Sequence, residues 1–471
     1  MLETNIGIEI HVEIATKTKA FCGCPNEFGA MPNTLVCPTC LGLPGSVPSV
    51  NRHALELTIK SGLLLGSTIA HETSFERKNY FYPDLPKGYQ IVQLTQPICL
   101  GGRIVLSSGK EVKLNRVHLE ENTAKLIHDG DSTKIDFNRS GTPILEIVSN
   151  PTPLDAQDVV EYISKVKTIL MFGGISSCKL EEGKFKFDIN LSLKKKDSSE
   201  LGVRVELINL TSSADIEKSI AYEIERQTAL IESSQEITKE TRMWDSDLEK
   251  TYSVREKGVI SDYRHFVDPD IKKIKITNED IERLRLELPE TYEQRVSRYI
   301  RLGLSDSQIA QITIEKSISD LFDRTCELGC SVIDTFNWIT TEVFRVYREQ
   351  NKINFENIIR PEDLKEIINL VTDGKVSRSN AKLLFDEIVS SGKSASVLIK
   401  ELEIIGDVSD VDIRDAVEQI IIYNPNIIED YNENKVEVIN FFVGQILNLT
   451  GGRAHPDKIQ KIVKDRMGSW F

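Results

Sequence analysis

The stretch Ile6-Gly7-Ile8-Glu9-Ile10-His11-Val12-Glu13-Ile14 decides the fold. Ile6, Ile8, Ile10, Val12 and Ile14 alternate strictly with Gly7, Glu9, His11 and Glu13. Side chains on a strand point to opposite faces with period two. The pattern predicts a strand with one branched-aliphatic face and one face carrying two carboxylates around an imidazole. A solvated face usually mixes in Thr, Lys and Ser; this one does not. Glu and His on one face can bind a divalent cation when other strands supply further ligands. Taken alone, a wet face of an antiparallel sheet is the simpler reading. Recurrence of the pattern shifts the balance.

Three later segments repeat the logic. Arg116-Val117-His118-Leu119-Glu120-Glu121 ends a strand with adjacent carboxylates. Residues 185–194 alternate Phe185, Phe187, Ile189, Leu191 and Leu193 with Lys186, Asp188, Asn190, Ser192 and Lys194. Residues 202–209 bury Val203, Val205 and Leu207 while Arg204 and Glu206 face the other way. Between them, Ile144-Leu145-Glu146-Ile147-Val148 sets one carboxylate in an apolar strand, costly unless paired or metal-bound. Residues 154–171 and 214–231 have the apolar spacing of covering helices. The expectation is one antiparallel sheet with an apolar side under helices and an acidic side open. Glu9, His11, Glu120, Glu121, Glu146, Asp188 and Glu206 would then converge on one floor. So many acids cannot all stay ionised without cations, and Mg²⁺ with nucleotide phosphates is the expected company. Arg77, Lys78, Arg139, Arg204, Arg242 and Arg255 are candidates to hold those phosphates.

The chain has 471 residues, 40% hydrophobic and 28% charged, and a net charge of −14. That length predicts two or three domains. No apolar run approaches the roughly 20 residues needed to cross a bilayer. Met1 to Asn5 shows no export signal, so a cytoplasmic protein is expected. An acidic chain binds polyanions poorly, so nucleic-acid contact should come from a local basic patch or a partner chain. Of eight cysteines, Cys22, Cys24, Cys37 and Cys40 cluster. Two close thiolate pairs on turns match a closed tetrahedral zinc site, ahead of free thiols, with a redox pair last. Its role should be rigidity.

Residues 51–66 read as a short helix. Residues 75–90 (Phe75 to Gln90) are dense in aromatics, cations and turn formers, with no helical or strand period. They read as a binding loop: Arg77, Lys78 and Lys87 can meet phosphates, and tyrosines such as Tyr80 can stack on a base or ribose. Ser107-Ser108-Gly109-Lys110 misses the phosphate-loop spacing and reads as a hairpin turn. From about Asp280 strand-like alternation stops. Residues 305–321, 363–371, 379–387 and 412–421 read as helices, punctuated by Gly374, Gly392, Gly406 and Pro425. Residues 451–467 carry Arg453, Lys458, Lys461, Lys464 and Arg466, a candidate RNA-backbone contact against an equally weighted solvated helix. The predicted class is α+β: an antiparallel-sheet core followed by an all-helical region.

The motifs Gly7-Ile8-Glu9-Ile10-His11, the cysteine cluster with Cys40-Leu41-Gly42-Leu43-Pro44-Gly45, and the whole run from Arg77 to Gln90 resemble one family. His118-Leu119-Glu120-Glu121, residues 141–148, Glu240-Thr241-Arg242-Met243-Trp244-Asp245, Asp262-Tyr263-Arg264 and Phe442-Val443-Gly444-Gln445 resemble it too. The family is the GatB subunit of the aspartyl/glutamyl-tRNA amidotransferases. The resemblance implies a core similar in fold to glutamine synthetase at 1–290, with a zinc loop at 22–40. A helical linker follows at 291–360, then a helical tRNA-binding tail at 361–471. It implies ATP, Mg²⁺ and structural zinc, with His11 and Glu120 among the magnesium ligands. It also implies a heterotrimer, completed by an amidase-type partner and a small third chain. Its implied reaction phosphorylates the side-chain carboxylate of Glu-tRNA(Gln) or Asp-tRNA(Asn), after which ammonia from the amidase-type partner displaces phosphate. A catalytically silent tRNA-binding scaffold is the alternative.

The sequence departs from the family pattern in places. Ile208 stands where lysine is usual, Phe187 where cysteine is common, and Lys186 and Lys194 where arginine is common. Asn122-Thr123-Ala124 replaces Asp-Ala-Gly, and His265 and Val267 replace Tyr and Pro.

Overall fold

A computed structural model describes residues 2–196, 198, 200–256, 263–349, 358–402, 409–427, 431, 434–450, 454 and 456–468. Asp262, Gly406, Arg453 and the side chain of Arg255 lie outside the described residues. The chain divides into two compact units, Met1–Arg295 and Val296–Phe471.

The first unit is built on a ten-stranded sheet. Its main strands are β1 (Leu2–Glu13), β4 (Glu111–Glu121), β5 (Pro143–Ser149), β6 (Phe185–Lys195), β7 (Val205–Ile208), β8 (Glu240–Asp245) and β9 (Lys250–Glu256). The order is β9-β8-β7-β6-β1-β5-β4, continued by Cys99–Leu100 and Thr68–Ile69. Every pair is antiparallel except β7 with β8. The first strand is therefore central, flanked by β6 and β5. Its aliphatic face is fully buried: Ile6, Ile8, Ile10 and Val12 have no exposed surface.

Helices complete that core. In α2 (Ala156–Phe172), Val159, Tyr162, Val166 and Leu170 turn inward, and Asp155 and Asp158 form a capping box at its start. In α3 (Ser213–Glu232), Ile216 and Ile220 do the same behind a Ser212 cap. A third, α1 (Arg52–Leu64), is capped by Asn51, whose side chain accepts from the amides of His53 and Ala54. Ser107 to Lys110 forms the expected turn, between Arg103–Val105 and β4. Lys110 there pairs with Asp158.

The stretch expected as a binding loop is a hairpin of two short strands with residues 80–88 as the loop between them. Its strands are β2 (Glu76–Asn79) and β3 (Tyr89–Val92), and Phe266–Val267 adds to the outer edge. Four-residue strands held by backbone pairing need no apolar alternation, so the sequence pattern carried no signal.

The second unit is helical. The segment 305–321, expected as one helix, is two, Asp306–Ile312 and Lys316–Glu327. The β-branched run Ile312-Thr313-Ile314 ends the first, with the Thr313 hydroxyl donating back to the Ile309 carbonyl. Helices Pro361–Thr372, Arg378–Ser391 and Asp410–Tyr423 follow. Gly392 takes the left-handed conformation (φ 68°) that closes Arg378–Ser391. Two apolar cores form, one spanning Tyr299 to Ile399 and the other Ile413 to Met467. Among the described residues the cores divide near 400, and Leu364 and Ile367 of helix Pro361–Thr372 share a core with Ile318 and Phe322. No helix among the described residues is long and apolar enough to cross a membrane.

Candidate active site

Register fixes which polar side chains share a face. His11 lies opposite Glu146 on β5 and Lys186 on β6; Glu146 lies opposite His118 on β4. Directly opposed residues in an antiparallel ladder point to the same side. The face therefore carries Glu9 and His11 of β1, Glu146 of β5, His118 and Glu120 of β4, Asp188 and Asn190 of β6, and Glu206 of β7.

The tightest group is His11, Glu120 and Glu146, which offer three ligand atoms within 4.8 Å of one another. His11 Nε2 stands 3.8 Å from Glu120 Oε1. Mg²⁺ with ligands at about 2.1 Å places neighbouring ligand atoms about 3 Å apart and opposite ones about 4.2 Å apart. The trio needs only a small closure to meet that. Burial pushes the His11 pKa down, but Glu120, Glu146, Asp188 and Glu9 outweigh it and the net shift is upward. Glu120 is pushed up by burial and by Glu146. Glu146 is held at about 2: burial raises it, but His118, His11 and Arg116 prevail. His118 Nε2 is 3.1 Å from Glu146 Oε2, and Arg116 is 3.8 Å away.

A second acidic group borders the first. Burial, with Glu206 and Glu9 nearby, pushes Asp188 up to about 6 against the pull of His11 and Lys186. Asn190 Nδ2 donates to Glu9 Oε1 at 2.9 Å, and the Thr241 hydroxyl donates to Glu206. Ile208 sits two residues from Glu206, on the same face of β7, and puts an aliphatic side chain where the family's lysine would bring a cation.

Glu121 does not join this floor. It pairs with Pro143, one pleat on from Glu120, and so points through the opposite face. There its buried carboxylate meets Lys87 and the Ile91 amide and anchors the β2–β3 hairpin. Arg242 is likewise on the far side, opposite Leu207 and bound to Glu240 Oε1 at 2.8 Å, with Glu223 of α3 at 3.7 Å. It lies in the support beneath α3.

The remaining cations differ in what they already hold. Arg77 is committed to Asp268 and Asp270, both at 2.8 Å. Arg139 donates to the carbonyls of Thr123 and Ala124, and burial pushes its pKa down. Arg204 reaches within 3.9 Å of Glu9 and is about half exposed (46%). Lys78 lies over the rings of Tyr80 and Tyr263, and its charge reaches Glu120. Tyr80 is pushed up by burial and by Asp84 and Glu120, which places it at the floor's edge.

His118, Lys186 and Glu13 share the floor's parity; Glu13 and Lys186 were read on the polar faces of their strands, but none of the three was carried into the expected site. Lys186 is pushed down by burial and by Arg139. Glu13 is pushed up by burial despite Lys184 and Thr142. Each stands two residues from a candidate already named, so strand periodicity was the signal that could have found them.

In the cysteine loop the sulfurs of Cys22, Cys24, Cys37 and Cys40 lie within 4.8 Å of one another. Four zinc–sulfur bonds of about 2.3 Å require sulfurs about 3.8 Å apart, which this cluster fits. The Cys22 hydrogen bond, against burial, pulls Cys40 down to about 4, helped by the Cys37 backbone and by Lys19.

In the tail, Lys458 is 2.9 Å from Asp410, and Arg466 is bound to Glu418. Two of the five cations of the expected basic stretch are therefore met by acids of helix Asp410–Tyr423, while Lys461 and Lys464 remain exposed.

Sheet, acidic floor and cysteine loop together define a catalytic domain of the GatB/GatE type. The family model described as "GatB/GatE catalytic domain" matches residues 4–282, and that described as "GatB domain" matches residues 320–467. The chain is 38% identical over 466 residues to the GatB-type subunit of the aspartyl/glutamyl-tRNA(Asn/Gln) amidotransferase of Thermodesulfovibrio yellowstonii, covering 98% of each chain. It is 39% identical over 471 residues to that of Chlorobium limicola and 37% identical over 473 residues to that of Brevibacillus brevis, covering 99% of each chain in both cases. The chain belongs to the GatB family of aspartyl/glutamyl-tRNA(Asn/Gln) amidotransferase subunits.

Proposed function

We propose that this chain carries the ATP-dependent step of a glutamine-using carbon–nitrogen ligase acting on Glu-tRNA(Gln), Asp-tRNA(Asn) or both. The observation that carries the reading is the convergence of His11, Glu120 and Glu146 from three neighbouring strands on one face. A carboxylate resists ammonia until one oxygen becomes a phosphate leaving group. ATP supplies that phosphoryl group, and Mg²⁺ offsets its charge as it moves.

Within this reading His11, Glu120 and Glu146 would hold Mg²⁺, and Glu9, Asp188 and Glu206 would border a second cation position. Lys78, Arg204 and Tyr80 meet the nucleotide from the hairpin and the β6–β7 side, since Arg77 and Arg242 are committed to carboxylates. His118 orients Glu146. Rigidly held donors act here without reorganising when charge develops. Ammonia arrives from an amidase-type partner in a heterotrimer with a small third chain, and the helical unit holds the tRNA. The substrate places the reaction in the cytoplasm.

The test is phosphorylation of each misacylated tRNA by the reconstituted complex. Glu120→Gln and His11→Ala should each slow it by about a hundredfold or more, as expected for groups that stabilise the developing charge. Wild-type rates in both variants would remove the proposed floor and favour the scaffold.

A further inference from the structure

Lys19 is fully buried, with no exposed surface. A buried ammonium is costly unless an anion and hydrogen bonds compensate it. Among the described residues its Nζ has two neighbours of that kind: Cys40 Sγ at 3.7 Å and the Phe137 carbonyl at 3.3 Å. No carboxylate comes within ion-pair distance of it among the described residues. Cys40 Sγ also accepts the Cys37 amide at 3.2 Å.

The metal loop is stapled to the segment that leads into β5. Asn33 accepts the Phe137 amide at 2.7 Å and donates its side-chain amide to the Ile135 carbonyl at 3.0 Å. Asn138 donates to the Met31 carbonyl and accepts the Leu35 amide. Ala20 donates its amide to the Gly141 carbonyl at 2.8 Å. Gly141, at φ +83°, lies against both partners: a Cβ there would stand 3.6 Å from Cys40 Cβ and from Lys19 Cδ. Lys19 is thus at the junction of the cysteine cluster and the 135–141 segment, the segment that carries Arg139.

Four thiolates around one zinc ion leave a net negative charge, which is what a buried lysine without a carboxylate partner lacks. We propose that Lys19 is a positioning residue of the metal centre, its ammonium offsetting the charge of the metal-bound thiolates through Cys40 and pinning the loop to residues 135–141 through Phe137. The inference rests on reading the four cysteines as metal ligands. Partners of this outer kind commonly change metal affinity by about 10–100-fold when removed.

The experiment titrates zinc against a chromophoric chelator in the full-length wild-type protein and in Lys19→Met. Affinity should fall about 10–100-fold in the variant. Hydrogen exchange at 135–141 should be slow in zinc-loaded wild type, and fast in zinc-stripped wild type and zinc-loaded K19M. Should K19M fail to fold, Lys19→Arg takes its place. It keeps the charge, but its planar fork does not fit a buried slot made for one nitrogen, so zinc affinity should again drop. Wild-type affinity in the folded variant overturns the role given to Lys19. A wild-type protein that takes up no zinc overturns instead the reading of the cysteines on which it rests.

Discussion

Glu146 and Glu120 face the same imidazole, yet their substitution by glutamine should change metal-free stability in opposite directions. Glu146 is held at about 2, against 4.5 for an ordinary glutamate. At 1.36 kcal/mol per pKa unit, its charge contributes about 3 kcal/mol to folding. The sign follows from a depressed acid. That stability is fully present above the unfolded pKa and is lost as pH falls through 4 toward 2. Glu146→Gln should therefore cost about 3 kcal/mol at pH 7, with the gap narrowing on acidification. Glu120 is pushed upward by burial and Glu146, so its charge is a burden until a cation arrives. Metal-free Glu120→Gln should be at least as stable as wild type. Urea unfolding at pH 7 with and without Mg²⁺ measures both. Mg²⁺ at a hundredfold excess over Kd should add about 2.7 kcal/mol to wild type and nothing to either variant. Equal destabilisation of the two metal-free variants, or Mg²⁺ stabilisation that survives in both, would refute the reasoning.

Two further outcomes follow from the same geometry. Lys87→Met leaves Glu121 buried without its cation and should cost about 3–5 kcal/mol in chemical unfolding, while Lys87→Arg should retain much of that. Asp188, pushed up to about 6, must release its proton when a cation binds beside it. Its raised pKa makes the metal-free protein gain stability as pH falls from about 6 toward 4, while Mg²⁺ affinity measured by calorimetry should weaken over that interval.

Most of the framework was legible because it is local. The alternating Ile6, Ile8, Ile10 and Val12 define β1, and Leu154 to Met171 shows a helical stripe that the structure returns as α2. The cysteine cluster needs only spacing along the chain. Glu121 was misplaced although period two already separates it from Glu120: adjacent residues on a strand cannot share a face. His118 and Lys186 were missed by the same rule, each two residues from a named acid. Arg242 was different, because its face depends on the parallel register of β7 with β8, which no sequence pattern reveals. The β2–β3 hairpin was hidden for another reason: its strands have mixed polar side chains and are held by backbone pairing.

The central claim is that the sheet's polar face holds a divalent cation. Mn²⁺, which takes the same oxygen and imidazole ligands as Mg²⁺, reports this directly through the electron paramagnetic resonance of the free ion. Titration of the wild-type chain should show at least one saturable site, lost in His11→Ala and in Glu120→Gln and kept in Lys87→Arg. Identical Mn²⁺ uptake by wild type and the first two variants would contradict it.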